Sequence, residues 1–296
     1  MKDYILSCES TADLSKEHFK DIGVNYVCFS YTMDGVNYMD DLGESMSFST
    51  FYKRVAEGAD VKTSQVNTES FVEYFESFLK KGLDVLHVCL SSGITGVMNS
   101  ALAAKEMLQD KYKDSKIYII DSLAASSGYG LLMDKISNLK REGFDIDKLR
   151  DWIEDNKLRL HHWFFSSDLS HFIKGGRISK LSGTIGMALG ICPLMNVNKN
   201  GELKVRYKIR GKNNVIKEIV NKMKEYADDG DNYADKCYIS ESACIDDARE
   251  VASLIEDNFK HMDGKVLINS IGTVIGCHTG PGTVALFFWG KKREDD

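Results

Sequence analysis

Short apolar runs alternate with amphipathic segments through the first half of this 296-residue chain. Strand length and β-favouring residues predict strands at Tyr4–Ser7, Val24–Tyr31, Val85–Leu90 and Lys116–Asp121. Apolar spacing of three and four predicts helices at Ser15–Asp21, Ser49–Gly58, Thr68–Lys80, Val97–Leu108, Ser126–Arg141 and Ile146–Lys157. An Asp34-Gly35 pair between β-like runs predicts a hairpin. This alternation is typical of a parallel sheet covered by helices.

A second unit begins near Leu160 and has a different pattern. Two runs joined at Asn200-Gly201 predict an antiparallel hairpin, Pro193–Asn198 with Leu203–Ile209. Further strands are predicted at His162–Ser166, Cys237–Ser240, Val266–Ser270 and Thr283–Trp289, and helices at Lys180–Leu189, Val215–Ala227 and Asp246–Asn258. We therefore expect an α/β protein with a parallel domain at 1–159, a mixed domain at 160–290 and a charged tail at 291–296.

Composition narrows the classes of function. A hydrophobic content of 43% supports a full core, and a net charge of −6 argues against a broad nucleic-acid footprint. No apolar run approaches the roughly 18 residues of a membrane span, and the first residues do not have the pattern of a signal peptide. The seven cysteines are never spaced C-x-x-C, which predicts reduced thiols in a cytoplasmic protein.

Common motifs of nucleotide, hydrolase and zinc sites are absent from the sequence: G-x-x-x-x-G-K, G-x-G-x-x-G, G-x-S-x-G and H-E-x-x-H. The adjacent His161 and His162 would point to opposite faces of a strand, so they are a poor metal pair. We expect one of them to be buried and the other exposed, and we expect no metal site.

The most informative segment is the loop Ser91–Gly96, which connects an apolar strand to a predicted helix. Hydroxyl groups and unpaired N–H groups at a helix N-terminus favour an anion. The loop has no lysine, which favours a carboxylate over a triphosphate. Taken alone, Thr95 is better explained as a helix cap than as a ligand of an anion.

Four other polar loops are candidates for a site, each with a structural alternative. Ser10–Asp13 can line a crevice or cap a helix, and Thr63–Gln65 can be an ordinary turn. Arg177 in Lys174–Ser179 suits an anion, although exposed arginines are common. In Gly276–Gly282, which we interpret as an unusual turn around Pro281, His278 can bind an anion or cap the turn.

Read in order, these segments resemble the DegV family of bacterial fatty-acid-binding proteins. The resemblance spans nearly the whole chain, and its motifs are S-T-x-D at 10–13, T-S-Q at 63–65, S-S-x-I-T-G at 91–96, Asp121-Ser122, G-G-R-I-S at 175–179 and H-x-G-P-G at 278–282. It implies an N-terminal parallel Rossmann-like sheet, a C-terminal mixed sheet with helices, and an apolar lipid tunnel between them. It also implies that the protein has no cofactor and is not an enzyme, and that its ligand is a palmitate- or oleate-like fatty acid.

The resemblance also implies roles for individual residues. Thr63, Thr95 and His278 would bind the fatty-acid carboxylate, with Gly96 in the same loop and Ser92 as an alternative hydroxyl. Arg177 and Arg210 would contact the head group or a partner, a kinase related to dihydroxyacetone kinases. Glu9, Cys192 and the pair Gly211-Lys212 depart from the usual pattern. Because the family often has Lys at the position of Cys192, these departures affect the expected partner more than the expected lipid.

Three hypotheses of function follow. The main one is a carrier that presents the carboxylate of a bound fatty acid to a separate kinase, which forms an acyl phosphate. The second is an acyl-lipid-processing enzyme with Ser92 or Thr95 as nucleophile and His278 as base. The third is a lipid-sensing regulatory module that serves no kinase. Glycines at 183, 186 and 190 in the predicted helix at 180–189 leave room for an acyl chain, or equally for close helix packing.

Overall fold

A computed structural model gives the fold, and it describes residues 3–179 and 190–294. The predicted helix Lys180–Leu189 lies outside these ranges. The α-helices of the described part are α1 (Lys16–Ile22), α2 (Phe48–Ala56), α3 (Thr68–Leu79), α4 (Val97–Gln109), α5 (Ser126–Arg141), α6 (Ile146–Asn156), α7 (Ser170–Lys174), α8 (Lys212–Tyr226), α9 (Ile245–Asn258) and α10 (Thr273–Thr279). Short 3₁₀ turns occupy Ser10–Ala12, Lys157–Arg159 and Gly230–Asn232.

The first half of the chain builds a four-stranded parallel sheet, as its alternating pattern predicts. The strand order is β2 (Val24–Val27), β1 (Tyr4–Glu9), β6 (Asp84–Cys89) and β7 (Ile117–Asp121). All six residues of β6 are buried, because helices cover both faces of a parallel sheet. The carboxyl ends of β1 and β6 lead into the loops at 10–13 and 91–96, which brings both loops to one edge of the sheet.

A small antiparallel sheet accompanies the parallel one. Its order is β4 (Val36–Met39), β3 (Ser30–Met33) and β5 (Val61–Ser64), with β3 and β4 joined by the predicted hairpin. The prediction of one strand over Val24–Tyr31 was wrong, because the chain leaves β2 at Val27 and enters a different sheet at Ser30. Thr63 was interpreted as part of a loop, but it lies on β5 and pairs with Tyr31.

The second half forms a six-stranded mixed sheet. Its order is β10 (Leu203–Arg210), β9 (Ile191–Val197), β8 (Leu160–Ser166), β13 (Thr283–Trp289), β11 (Tyr238–Glu241) and β12 (Leu267–Ser270). Only β11 and β12 pair in parallel among these neighbours. Together with the parallel sheet, this gives the expected two-domain α/β fold, and the hairpin predicted at Asn200-Gly201 is confirmed as β9 and β10.

The two adjacent histidines are both buried, at 5% and 2% exposure, so the prediction of one exposed histidine was wrong. They lie on β8 in the middle of the six-stranded sheet, where α5 covers one face and α8 the other. His161 stacks on Phe288 and Tyr226, and His162 packs edge-on against Phe287. Burial lowers the pKa of His161 to about 4, so its imidazole is neutral and is held by a hydrogen bond to the Lys291 carbonyl (2.7 Å).

The end of the chain, predicted as a charged tail, contains a buried arginine. Arg293 is 7% exposed and donates hydrogen bonds to the carbonyls of Val197, Asn198 and Leu123 at 2.9–3.1 Å. Leu123 precedes α5, whereas Val197 and Asn198 end β9. One guanidinium therefore links the two halves of the chain.

Two further expectations concern cysteines and membrane spans. All seven cysteines lie in the described residues and all are free. No helix within 3–179 or 190–294 combines the length and the apolar character needed to cross a bilayer.

Candidate functional site

An apolar cavity lies where the six-stranded sheet meets elements of the first half of the chain. It has about 600 Å³ of space between atoms, part of which is open to solvent. The sheet contributes alternate residues, Ala285 and Phe287 on β13 and Phe164 on β8, because every second side chain of a strand points to the same face. Ile94 and Ala125, from the first half of the chain, also line it. The cavity therefore has a wall from each half of the chain.

His278 lines this cavity and is the centre of the polar contacts there. It occupies the last turn of α10, so the interpretation of Gly276–Gly282 as a turn was wrong for its first half. The turn begins at Gly280 and Gly282, which have φ of +64° and +89°, values that favour glycine. The apolar residues Val274 and Ile275 start a helical turn before the Gly-Pro-Gly segment ends it.

A hydrogen bond of 2.8 Å joins His278 Nε2 to Thr63 Oγ1, across 215 residues of sequence. Burial, with smaller contributions from nearby Arg177 and His171, lowers the pKa of His278 to about 4. The imidazole is therefore neutral at pH 7, with one ring nitrogen protonated. If Nε2 carries the proton, it donates to Thr63 and leaves the Thr63 hydroxyl to donate elsewhere. If Nδ1 carries it, that N–H is itself the spare donor.

Two buried polar atoms at this place have no hydrogen-bond partner in the described part of the chain. They are His278 Nδ1 and Arg177 Nε, and both residues line the cavity. Burial lowers the pKa of Arg177, whose guanidinium also donates to the Gly175 carbonyl (2.5 Å). A side chain at Gly175 would collide with His278 Nδ1, so glycine there permits the close approach of the two loops. A half-buried cation beside a neutral imidazole is suited to an anion.

The loop at 91–96 approaches the site through Gln65. Thr95 Oγ1 donates to Gln65 Oε1 (3.1 Å) and accepts the Val97 N–H (3.3 Å), so Thr95 also helps to cap α4. Gln65 lies two residues after Thr63, and it is a contact that the sequence analysis did not identify. Ile94, immediately before Thr95, lines the cavity. The structure thus connects Thr95 to the segment of Thr63 without placing the two hydroxyls in contact.

The other candidate residues have different positions. Gly96 is the exposed N-cap residue immediately before α4, and Ser92 is exposed, with its N–H bonded to Asp121 Oδ1 (3.1 Å). Arg210 is exposed at the end of the edge strand β10. Of the residues predicted for the head group, the structure brings together Thr63, His278 and Arg177.

The loop is held against the second half of the chain by backbone contact. A side chain on Gly93 would meet the Asn200 carbonyl oxygen and the Gly201 backbone at 2.6–2.7 Å. Ser91, which is buried, donates its hydroxyl to the Gly201 carbonyl (2.8 Å). The turn between β9 and β10 therefore fixes the position of this loop.

A buried polar cluster behind the parallel sheet was not expected from the sequence. The carboxylate of Glu9 accepts hydrogen bonds from the Leu90 N–H (2.9 Å) and the Tyr129 hydroxyl (2.8 Å), and it contacts His87 Nε2 at 3.1 Å. His87 Nδ1 bonds to Ser7 (2.8 Å). Glu9, His87 and Cys89 are close enough to share an ion, but the first two already have protein partners. We interpret the cluster as structural.

Comparison with known proteins identifies the family. A family model described as "Uncharacterised protein, DegV family" matches residues 6–291. The DegV domain-containing protein CPE0026 of Clostridium perfringens is 37% identical over 99% of this chain and all of that protein.

Solved structures show the same fold. A protein from Eubacterium ventriosum, described as binding stearic acid, has a TM-score of 0.83 and 25% identity, covering 96% of this chain and 97% of its own. The fatty acid kinase (Fak) B3 protein of Streptococcus pneumoniae, solved with linoleic acid, has a TM-score of 0.83 and 18% identity, with 98% and 100% covered. The family model and the relative in Clostridium together show that this chain belongs to the DegV family.

Proposed function

We propose that this protein binds a long-chain free fatty acid in the apolar cavity and presents its carboxylate to a separate fatty acid kinase, which forms an acyl phosphate. It acts as a carrier and not as a catalyst. The observation that carries the proposal is an apolar cavity, partly open to solvent, with the unpartnered polar atoms of Arg177 and His278 in its wall.

The acyl chain supplies the binding energy. A palmitate-like chain buries roughly 15 carbons at about 0.8 kcal/mol each, about 12 kcal/mol in all. The loss of translational freedom and of conformational entropy of the acyl chain offsets much of this free energy. The remainder determines the affinity. The side chains of Phe164, Phe172 and Phe287 provide the apolar wall.

A buried carboxylate needs donors, because an unpaired charge in an apolar site is costly. We propose that Thr63, Thr95 and His278 supply them, with Gly96 and the alternative hydroxyl of Ser92 in the adjacent loop. Either tautomer of His278 provides one donor, through the Thr63 hydroxyl or from Nδ1 directly. The hydrogen bond between Thr63 and His278 supports this proposal, since it joins Thr63 to a residue that lines the cavity.

The two arginines, Arg177 and Arg210, have different roles in the proposed function. Arg177 lines the cavity and serves the head group, whereas Arg210 is exposed on an edge strand and serves the partner. The name of the Streptococcus pneumoniae protein supports a kinase as partner, since that protein shares the fold. We further propose 1–159 and 160–290 as the two domains, with the boundary after the 3₁₀ turn Lys157–Arg159.

The proposed enzyme with Ser92 or Thr95 as nucleophile has less support. His278 is bonded to Thr63, while Thr95 donates to Gln65 and the backbone of Ser92 bonds to Asp121. A nucleophile needs its base within hydrogen-bond reach. The contacts therefore favour a binding site at His278.

Extraction of the purified protein with organic solvent, followed by mass spectrometry, tests the ligand. We expect fatty acids of about 16–18 carbons, or saturable binding of palmitate and oleate after delipidation. Recovery of no fatty acid together with no binding of either would refute the proposal.

The partner role has a separate test. Loaded protein is titrated into a dihydroxyacetone-kinase-like fatty acid kinase with ATP, and acyl phosphate is measured. We expect turnover that depends on the carrier and falls with Arg210→Ala, while palmitate affinity stays unchanged in that variant. Binding of palmitate without any ATP-dependent product would support the lipid sensor instead.

A further inference from the structure

The cavity wall contains one more polar group that the proposed head-group site does not use. Among the described residues, seven buried side-chain atoms lack a hydrogen-bond partner. Three of them belong to residues that line this cavity, namely Arg177 Nε, His278 Nδ1 and Thr283 Oγ1. The carboxylate of the proposed ligand would provide a hydrogen-bond partner for the first two. Buried polar atoms without partners are rare in native proteins, so the third needs its own explanation.

Thr283 is the first residue of β13 and is 1% exposed. Its backbone is fully bonded, because its N–H donates to Ser242 Oγ (2.8 Å) and its carbonyl accepts the Ser242 N–H (3.0 Å). Its side chain shares a sheet face with Ala285 and Phe287, which also line the cavity. The backbone contacts hold the residue in place. Its side-chain hydroxyl alone is left without a partner, on the face of the sheet that lines the cavity.

Two other hydroxyl groups in the cavity wall do have a protein acceptor. Ser126 donates to Asp13 Oδ2, and Thr279 donates to the Gly280 carbonyl (3.3 Å). An apolar side chain at position 283 would cost nothing to a cavity that takes only plain hydrocarbon. A buried hydroxyl without a partner is a penalty unless the ligand supplies the partner.

We propose that the cavity is adapted to a long-chain fatty acid with a hydroxyl group on its acyl chain, and that Thr283 is the residue that recognises this hydroxyl. This inference rests on the proposed function, since it names the class of fatty acid that the same cavity prefers. A site with a buried polar group discriminates strongly against an analogue that lacks the matching group, because the protein group is then left unpaired.

The test is a set of binding measurements on delipidated protein with hexadecanoic acid and its 2-, 3-, 10- and 16-hydroxy derivatives. We expect at least one hydroxy isomer to bind about tenfold more tightly than hexadecanoic acid. Thr283→Val should remove this excess and bind hexadecanoic acid at least as tightly as the wild type does. Thr283→Ser should keep the excess.

Thr279→Val is the matched control, because it makes the same change in the same wall at a hydroxyl that already has a partner. It should leave the preference for the hydroxy acid in place. The proposal is overturned if no isomer exceeds hexadecanoic acid, which would mean that only water meets Thr283, or if the excess survives Thr283→Val. An equal loss for every fatty acid in Thr283→Val would also overturn it, because Thr283 would then bind the carboxylate. If hexadecanoic acid and all isomers fail to bind, the carrier function itself fails.

Discussion

At the scale of single residues, the proposed head-group site centres on the hydrogen-bonded pair Thr63 and His278. The two residues are contributed by β5 and α10, and each is partly shielded from solvent. A neutral imidazole and a hydroxyl provide a donor without a net charge, and Arg177 adds the charge nearby. The site therefore combines uncharged donors with one cation.

Thr63→Val keeps the shape of the side chain and removes its hydroxyl. We expect affinity for palmitate to fall about 10- to 100-fold, or about 1–3 kcal/mol, since a hydrogen bond in a charged network is lost. Isothermal titration calorimetry measures the change, and Thr63→Ser is the control that should bind nearly as the wild type does. Wild-type affinity in both Thr63→Val and Thr95→Val would place the carboxylate elsewhere.

The lowered pKa of His278 predicts a dependence of stability on pH. The unfolded chain, in which histidine titrates near 6.5, binds a proton that the folded protein does not bind until about pH 4. The contribution of His278 to the free energy of unfolding is therefore complete above pH 6.5 and is lost as the pH falls toward 4.

Urea unfolding of the wild type and of His278→Gln at pH 7.5 and pH 5 isolates this effect. We expect the difference in unfolding free energy between the two proteins to shift by about 2 kcal/mol against the wild type at the lower pH. The glutamine variant serves as its own control for every other titrating group. A difference that stays constant over this range would contradict the assigned direction.

At the scale of elements, α10 depends on a residue far from it in sequence. Its N-cap residue Gly272 offers no capping side chain. Asp40, 2% exposed, supplies the missing acceptor, because its Oδ1 accepts both the N–H (3.1 Å) and the hydroxyl (2.6 Å) of Thr273. Its Oδ2 accepts the Ser10 hydroxyl (2.7 Å), which ties the helix to the loop after β1.

Asp40→Ala should therefore weaken both the fold and the site. We expect the free energy of unfolding to fall by about 1–3 kcal/mol through loss of the cap and of buried hydrogen bonds, and palmitate affinity to fall because α10 carries His278. Thermal unfolding and calorimetry measure the two effects. Asp41→Ala is the control, since its carboxylate accepts only the nearby Ser45 N–H among the hydrogen bonds described. Unchanged stability in Asp40→Ala would show that α10 is held by other contacts.

Periodicity predicts most elements well, and the exceptions have physical reasons. Long amphipathic helices such as α3 and α5 lie close to their predicted bounds, because one face alone must be apolar. Val24–Tyr31 was predicted as one strand, since an apolar pattern cannot indicate that its two halves join different sheets. α10 was missed because Gly276, Gly280 and Pro281 are typical of turns, although only the last two end the helix.

The hydrogen-bond contacts in the candidate site could not be predicted from the pattern of apolar and polar residues alone. Thr63 and His278 lie 215 residues apart, and only the ordered motifs of the family indicated that they belong together. Gln65 was identified only as part of the T-S-Q motif, and Thr283 gave no signal, because their roles depend on which side chains face them. The burial of Arg293 could not be predicted either, because it lies in a run of charged residues and such runs are usually solvated.

At the scale of the whole molecule, the cavity exists only while the two halves of the chain stay together. Arg293 is one of the links, since its guanidinium reaches carbonyls before α5 and at the end of β9. A second link is Asp134 on α5, which contacts Lys236 (2.8 Å) and Tyr238 at the start of β11. Interactions with His18, Lys236 and Tyr238 outweigh burial and lower the pKa of Asp134 below its ordinary value.

Arg293→Met keeps the length of the side chain and removes its donors. We expect the free energy of unfolding to fall by about 2–4 kcal/mol, because buried carbonyls at three places lose their partner together. Chemical denaturation measures the loss. Lys292→Met is the matched control, since Lys292 is exposed and should change stability little. Equal stability of the two variants would mean that the hydrogen bonds of Arg293 do not hold the two halves of the chain together.

A crystal structure of the protein with bound palmitate would locate the acyl chain and its carboxylate. We expect the acyl chain against the face of β8 and β13, with a carboxylate oxygen within about 3.2 Å of Thr63 Oγ1 or His278 Nδ1. A chain bound outside this cavity, or a carboxylate distant from both residues, would contradict this expectation.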